Sequence, residues 1–197
     1  MQNPIAIIAG EPNSISSEII FKAWRLRKKY KLKNFIVIGS VKLLTSQKNN
    51  LKIKIPLEVV EKDFNTNNLK KNKLFILNVN YKQNKAFEKI STKSNKYIFN
   101  CFREAINLIK MNKISGIINC PVAKETLFKN RNSGITEYLG KRFTTKGQEV
   151  MLIYNKNLSV SPLTTHIPFK TISRKIKKKD IISKLKIINY FYRKKLK

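Results

Sequence analysis

The chain has 197 residues, 42% of them apolar, which allows a substantial core in one large domain or in the greater part of a two-lobed one. Its 42 basic and 11 acidic residues give a net charge of +31, but the lysines are spread over every segment, which argues against a dedicated nucleic-acid-binding element. Cys101 and Cys120 form no metal or disulfide array, and the apolar run at residues 5 to 9 is too short for a signal peptide or membrane span, so we expect a cytoplasmic protein with no membrane partner.

The first part of the chain predicts a β-loop-α-β unit. Residues 4 to 9 are a continuous apolar run, as in a strand buried on both faces of a parallel sheet, and residues 35 to 38 form the next strand. The helix between them can be capped by Ser16 or Ser17. Its predicted buried stripe comprises Ile19, Ile20, Ala23, Trp24, Arg27 and Tyr30.

The loop after the first strand, which contains Glu11, is a candidate phosphate or nucleotide site. It should lie at the carboxyl edge of the sheet, where the N–H groups that begin the helix face a bound anion. An ordinary tight turn is the alternative, because Gly10 alone is not a Gly-x-Gly-x-x-Gly fingerprint.

Further strands are predicted at residues 57 to 60, 74 to 79 and 114 to 119, with a short helix within residues 41 to 50. The clearest helix spans residues 97 to 109, whose apolar spacing places Cys101 in the core. Lys124 follows the strand that Cys120 and Pro121 end. Its amine could bind a substrate phosphate or carboxylate, or it could be a solvated surface lysine.

The last third predicts a helix start, a hairpin and a terminal helix. Thr136 lies near the start of the first helix, where its hydroxyl either caps the helix or faces a ligand. Residues 149 to 154 and 158 to 163 suit an antiparallel pair joined to the sheet. His166, the only histidine, should then end a strand at the carboxyl edge, where ligands bind in open sheets. A solvated or core-satisfied histidine is the alternative.

Four short segments resemble, in the right order, motifs of the 4-hydroxythreonine-4-phosphate dehydrogenase family. Residues 7 to 12 (IIAGEP) resemble its opening strand and Gly-Glu-Pro turn, and residues 164 to 168 (TTHIP) resemble its Thr-Thr-His-Leu-Pro segment. Residues 119 to 124 (NCPVAK) and 134 to 137 (GITE) resemble its Gly-Pro-Val-x-Lys and Gly-His-Thr-Glu segments. Each motif is short, but together they extend over nearly the whole chain.

The resemblance implies a homodimer of two-lobed α/β subunits, related in fold to isocitrate and isopropylmalate dehydrogenases. Such an enzyme oxidises the C3 hydroxyl of 4-phosphooxy-threonine with NAD or NADP, and the product loses carbon dioxide on the route to pyridoxal phosphate. The resemblance also implies a divalent metal (zinc, magnesium or cobalt) held by three histidines, the first matching His166, with substrate contacts from Thr136, Lys124 and Glu11. It leaves catalytic and cofactor-binding residues unassigned.

We therefore predict a three-layer α/β fold with a mainly parallel sheet. Residues 1–197 would form a single α/β region that corresponds to the N-terminal part of a longer two-lobed enzyme and stops before the second lobe is complete. We also expect the loops after Ala9, Asn119 and Thr165 to converge at one sheet edge.

The chain departs from the family pattern in three ways. Ile135 replaces the histidine of the Gly-His-Thr-Glu motif, residues 13 to 16 (NSIS) replace Ala-Gly-Ile-Gly, and the other two metal-binding histidines are absent. A fragment, one half of a split enzyme and a decayed copy all remain open. The alternative functions are an inactive α/β domain that binds a phosphorylated metabolite or a partner subunit and, on charge alone, a basic nucleic-acid-binding protein. We expect no specific nucleic-acid partner.

Overall fold

The computed structural model describes residues 3–32, 35–69, 72–128, 134–143, 149–165 and 167–195. The chain forms two compact units, Met1–Asn130 and Arg131–Lys197. The assignment of all 197 residues to one α/β region remains a prediction. Within the described ranges, no helix is both long and apolar enough to cross a bilayer.

The first unit is built on a parallel sheet of five strands in the order β3-β4-β2-β1-β5. The strands are β1 (Ile5–Ile8), β2 (Phe35–Gly39), β3 (Leu57–Val60), β4 (Leu74–Asn78) and β5 (Gly116–Asn119). The central strands are continuous apolar runs because both of their faces are buried. The predicted mainly parallel α/β fold is confirmed.

Helices cover both faces of this sheet. They are α1 (Ser16–Leu26), α2 (Val41–Asn50), α3 (Asn95–Lys110) and the short α4 (Lys124–Phe128). The β1-α1-β2 and β4-α3-β5 crossovers run in opposite directions along the sheet, so right-handed connections place α1 and α3 on opposite faces. Cys101 of α3 is fully buried as predicted, and burial raises the pKa of its thiol to about 12.

The buried side of α1 differs from the predicted stripe. Ile20 is buried as expected, but so is Phe21, whereas Ile19 and Tyr30 are 43% and 60% exposed and the helix ends at Leu26. Apolar side chains surround more than half of this helix, and periodicity alone cannot show which of them face the core.

The second unit contains α5 (Ile135–Arg142), α6 (Ile172–Lys175) and α7 (Lys178–Lys195). The predicted strands at residues 149 to 154 and 158 to 163 are wrong, since this region forms a single antiparallel bridge between Ile153 and Val160. Both bridge residues are more than half exposed. An isolated pair without a covering layer is marginal, which explains why the apolar pattern does not extend into longer strands.

Candidate functional site

The loops that follow β1 and β5 meet at the carboxyl edge of the sheet. The parallel register pairs Ile8 with Asn119, so both strands end at the same level. The Glu11 N–H donates to the Pro121 carbonyl oxygen at 2.9 Å. Gly10 has a φ of +72°, and a Cβ there would lie 2.5 Å from the same carbonyl oxygen. Only glycine fits this close approach.

The Glu11 carboxylate points inward. The residue is 1% exposed, and its Oε2 lies 2.8 Å from the Ser94 hydroxyl, just before α3. Its Oε1 accepts the Asn13 N–H at 3.2 Å. In this geometry Glu11 ties the loop to the start of α3 and does not face solvent, so its predicted substrate contact stays a prediction.

A polar segment after β4, residues 83 to 88, is connected to the same loop by hydrogen bonds. The buried Gln47 side chain donates to the Pro12 carbonyl at 2.7 Å and to the Ala86 carbonyl at 3.1 Å. Asn13 Oδ1 accepts the Glu88 N–H at 2.8 Å and a Gln83 side-chain N–H at 3.1 Å. Sequence analysis missed this role for residues 83 to 88, and amide side chains just after a buried strand were the available signal.

The start of α1 favours a tight turn over an anion site. The N-cap position of α1 is Ile15, with no side-chain cap bond, so the expected cap by Ser16 or Ser17 is wrong. Ser14 Oγ instead accepts the Ser16 N–H at 3.2 Å. Ser14 Oγ also lies 2.7 Å from Ser16 Oγ. Ser16 and Ser17 are 2% and 3% exposed. Side chains therefore fill the space that the glycines of the resembled motif would leave open.

Lys124 lies at the same sheet edge, as the exposed first residue of α4. The helix is anchored by Asn95, whose side-chain amide donates to the Thr126 carbonyl at 2.8 Å. The Asn95 Oδ1 is buried without a hydrogen-bond partner among the described residues. The role of Lys124 in substrate binding stays a prediction.

The remaining predicted site residues belong to the second unit. Thr136 is the half-buried second residue of α5. The Glu137 carboxylate accepts the Gly134 N–H at 2.7 Å and so supplies the polar contact that begins the helix. His166 lies outside the described residues, and residues 158 to 165 before it do not form the predicted continuous strand.

A metal site held by this chain alone is not supported by its donor residues. The sequence has one histidine. Within the described parts of the chain, no group of three His, Cys, Asp or Glu side chains is placed to hold a metal ion. The three-histidine set implied by the resemblance therefore does not fit this polypeptide by itself.

A parallel sheet whose loops meet at its carboxyl edge defines an open-sheet α/β protein, a class that binds ligands at that edge. Residues 31–197 match the family described as pyridoxal phosphate biosynthetic protein PdxA, and the chain belongs to this family.

Two curated relatives are similar over nearly the whole chain, and both are named 4-hydroxythreonine-4-phosphate dehydrogenase. The protein from Sulfurihydrogenibium sp. is 27% identical over 193 residues, covering 97% of this chain and 58% of its own length. The protein from Aquifex aeolicus is 28% identical over 202 residues, covering 100% of this chain and 60% of its own length. The chain thus spans somewhat over half the length of these relatives.

The crystal structure of the Klebsiella pneumoniae 4-hydroxythreonine-4-phosphate dehydrogenase shares the fold. Its TM-score is 0.80 at 20% identity, with 98% of this chain and 60% of that chain covered.

Proposed function

We propose that the chain forms the N-terminal part of an NAD(P)-dependent 4-hydroxythreonine-4-phosphate dehydrogenase in pyridoxal phosphate biosynthesis. The family match over residues 31–197 carries this proposal. The Gly-Glu-Pro turn supports it, because Gly10 and Glu11 pack this turn against the Pro121 carbonyl. Pro121 belongs to the resembled segment at residues 119 to 124.

In this proposal the chain's own residues bind and orient the substrate. The exposed Lys124 amine provides a point charge for the phosphate or carboxylate of 4-phosphooxy-threonine, and the Thr136 hydroxyl provides a polar contact. Buried Glu11 holds the loop in position. Bound NAD or NADP would accept the hydride from the C3 hydroxyl carbon.

The remaining metal ligands would come from the part of the family fold that this chain does not span. His166 is the one histidine that the chain can offer, and a catalytic zinc usually takes three protein ligands. We also propose that the assembled enzyme is a cytoplasmic homodimer, on the family resemblance alone.

The test is to produce the chain alone and together with the C-terminal part of the Aquifex aeolicus relative. Reduced cofactor is followed by absorbance with 4-phosphooxy-threonine and zinc or magnesium. We expect no turnover by the chain alone, and turnover by the assembly that His166→Ala abolishes. Lys156→Ala, an exposed substitution in the turn of the bridge, is the matched control and should leave turnover unchanged. Turnover by the chain alone, or failure of the assembly to bind substrate, would contradict the proposal.

A second candidate is a catalytically inactive domain that binds a phosphorylated metabolite or a partner. The half-buried Ile135 favours it, because an aliphatic side chain can neither donate a hydrogen bond nor take up a proton where the family motif has histidine. Calorimetric binding of 4-phosphooxy-threonine to the assembly, with no formation of reduced cofactor, would identify this function.

A further inference from the structure

An apolar groove runs between α1 and the β5 edge of the sheet in the first unit. It is a cavity of about 430 Å³, lined by Ile7 of β1, Ile19 and Ala23 of α1, and Ile118 of β5. Among the ten lining residues, Lys31 is the one with a charged side chain. A cavity of this composition is suited to apolar side chains.

Helix α1 presents two apolar faces, and the described core buries one of them. Ile20 and Phe21 are at most 1% exposed, whereas Ile15, Ile19 and Leu26 are exposed. At 100° per residue these three lie within about 40° of each other around the helix axis, on the side away from Phe21. The second face therefore forms a continuous apolar stripe beside the groove.

Strand β5 adds an apolar sheet edge to this stripe. It pairs with β1, and no other described strand pairs with it. Ile118 lies opposite Ile7, so its side chain is on the α1 face of the sheet, and it is 53% exposed. An exposed edge strand that carries apolar side chains is a template for a further segment.

Charge argues against a second copy of this chain as the occupant. A two-fold contact places the same patch on both sides. Here that patch includes the charged side chain of Lys31, in a chain whose net charge is +31. Two copies meeting at this groove would bring like charges together.

We propose that the groove docks an apolar segment from the C-terminal part of the family fold, packed on α1 and beside β5. The relatives are longer than the region that this chain matches, which supplies such a segment. The proposal rests on the proposed function in that both require the rest of the fold. Wild-type binding that the groove variants do not weaken would reject the groove and leave the proposed function standing, whereas groove-dependent binding without turnover would do the reverse.

The test is co-purification and titration of the chain with the C-terminal part of the Aquifex aeolicus relative, using Ile19→Glu and Ile118→Glu as groove variants. Val59→Glu is the matched control, because Val59 is 47% exposed on β3 at the opposite edge of the sheet. We expect the wild-type chain and Val59→Glu to bind equally, and each groove variant to bind at least tenfold more weakly. Hydrogen exchange at β5 should slow on binding. Circular dichroism of the isolated variants should match that of the wild type.

Three outcomes would overturn the proposal. The first is that the wild-type chain does not bind the C-terminal part. The second is that Val59→Glu loses binding and Ile118→Glu does not. The third is that the chain alone forms a dimer that Ile118→Glu dissociates. The last outcome would assign the groove to a second copy.

Discussion

The Glu11 carboxylate shows how one residue can fix a loop without facing solvent. It is almost fully buried, and its two oxygens bond to the Ser94 hydroxyl and the Asn13 N–H. A buried acceptor that loses a partner incurs its desolvation penalty without compensation. The loop between β1 and α1 therefore depends on a hydroxyl that lies far away in the sequence.

We predict that Ser94→Ala lowers the free energy of unfolding by about 1–3 kcal/mol, because it removes the hydroxyl that satisfies Glu11 Oε2. Ser17→Ala is the control. Ser17 is equally buried, but its hydroxyl has no hydrogen-bond partner among the described residues, so its removal should be neutral or slightly stabilising. Urea denaturation measures both variants. Equal destabilisation by the two would show that the Ser94 bond to Glu11 is not the cause.

At the scale of elements, the sequence predicts best where both faces of a strand or one strong face of a helix are buried. Strands β1, β2 and β4 and helix α3 were predictable for this reason. The order of the strands was not, because a continuous apolar run looks the same at any position in the sheet. The hairpin prediction failed because residues 149 to 163 pair only at a single bridge.

The candidate site was predictable only in part. The meeting of the loops after β1 and β5 follows from parallel strands that end at one edge. The Glu11 side chain points inward, and Gln47 and Asn13 form hydrogen bonds with residues 83 to 88. Both features depend on long-range contacts that no local pattern encodes.

The contact between the loops after β1 and β5 predicts that alanine substitution destabilises the chain far more at Gly10 than at Gly116. Gly10→Ala should destabilise the chain by about 1–3 kcal/mol from backbone strain alone, and by more once the clash with the Pro121 carbonyl is added. Gly116→Ala, in β5, is the matched control, since a Cβ there would have no atom within 4 Å. Chemical denaturation should rank the variants in this order. A Gly10→Ala variant as stable as Gly116→Ala would show that the two loops can separate without loss of stability.

For the whole molecule, net charge and exposed apolar surface affect binding to other molecules in different ways. The acidic residues can neutralise only a minority of the 42 basic side chains. Described ion pairs include Lys22 with Glu18, and Lys62 with Glu104 at 2.8 Å. The groove beside α1 is almost entirely apolar. Charge therefore governs long-range association, whereas the groove is suited to a specific partner.

We predict that the chain binds nucleic acid only weakly, without sequence preference and in a strongly salt-dependent manner. Its net charge of +31 attracts any polyanion, because cationic side chains that neutralise phosphates release counterions. Sequence preference requires side chains placed against base edges, and the even spread of lysine indicates no such element. Fluorescence anisotropy with two labelled duplexes of equal length and different sequence should give equal affinities at low salt. Both affinities should fall steeply and in parallel as salt rises towards physiological concentration. A preference for one duplex that persists there would overturn the prediction and make nucleic-acid binding a function of this chain.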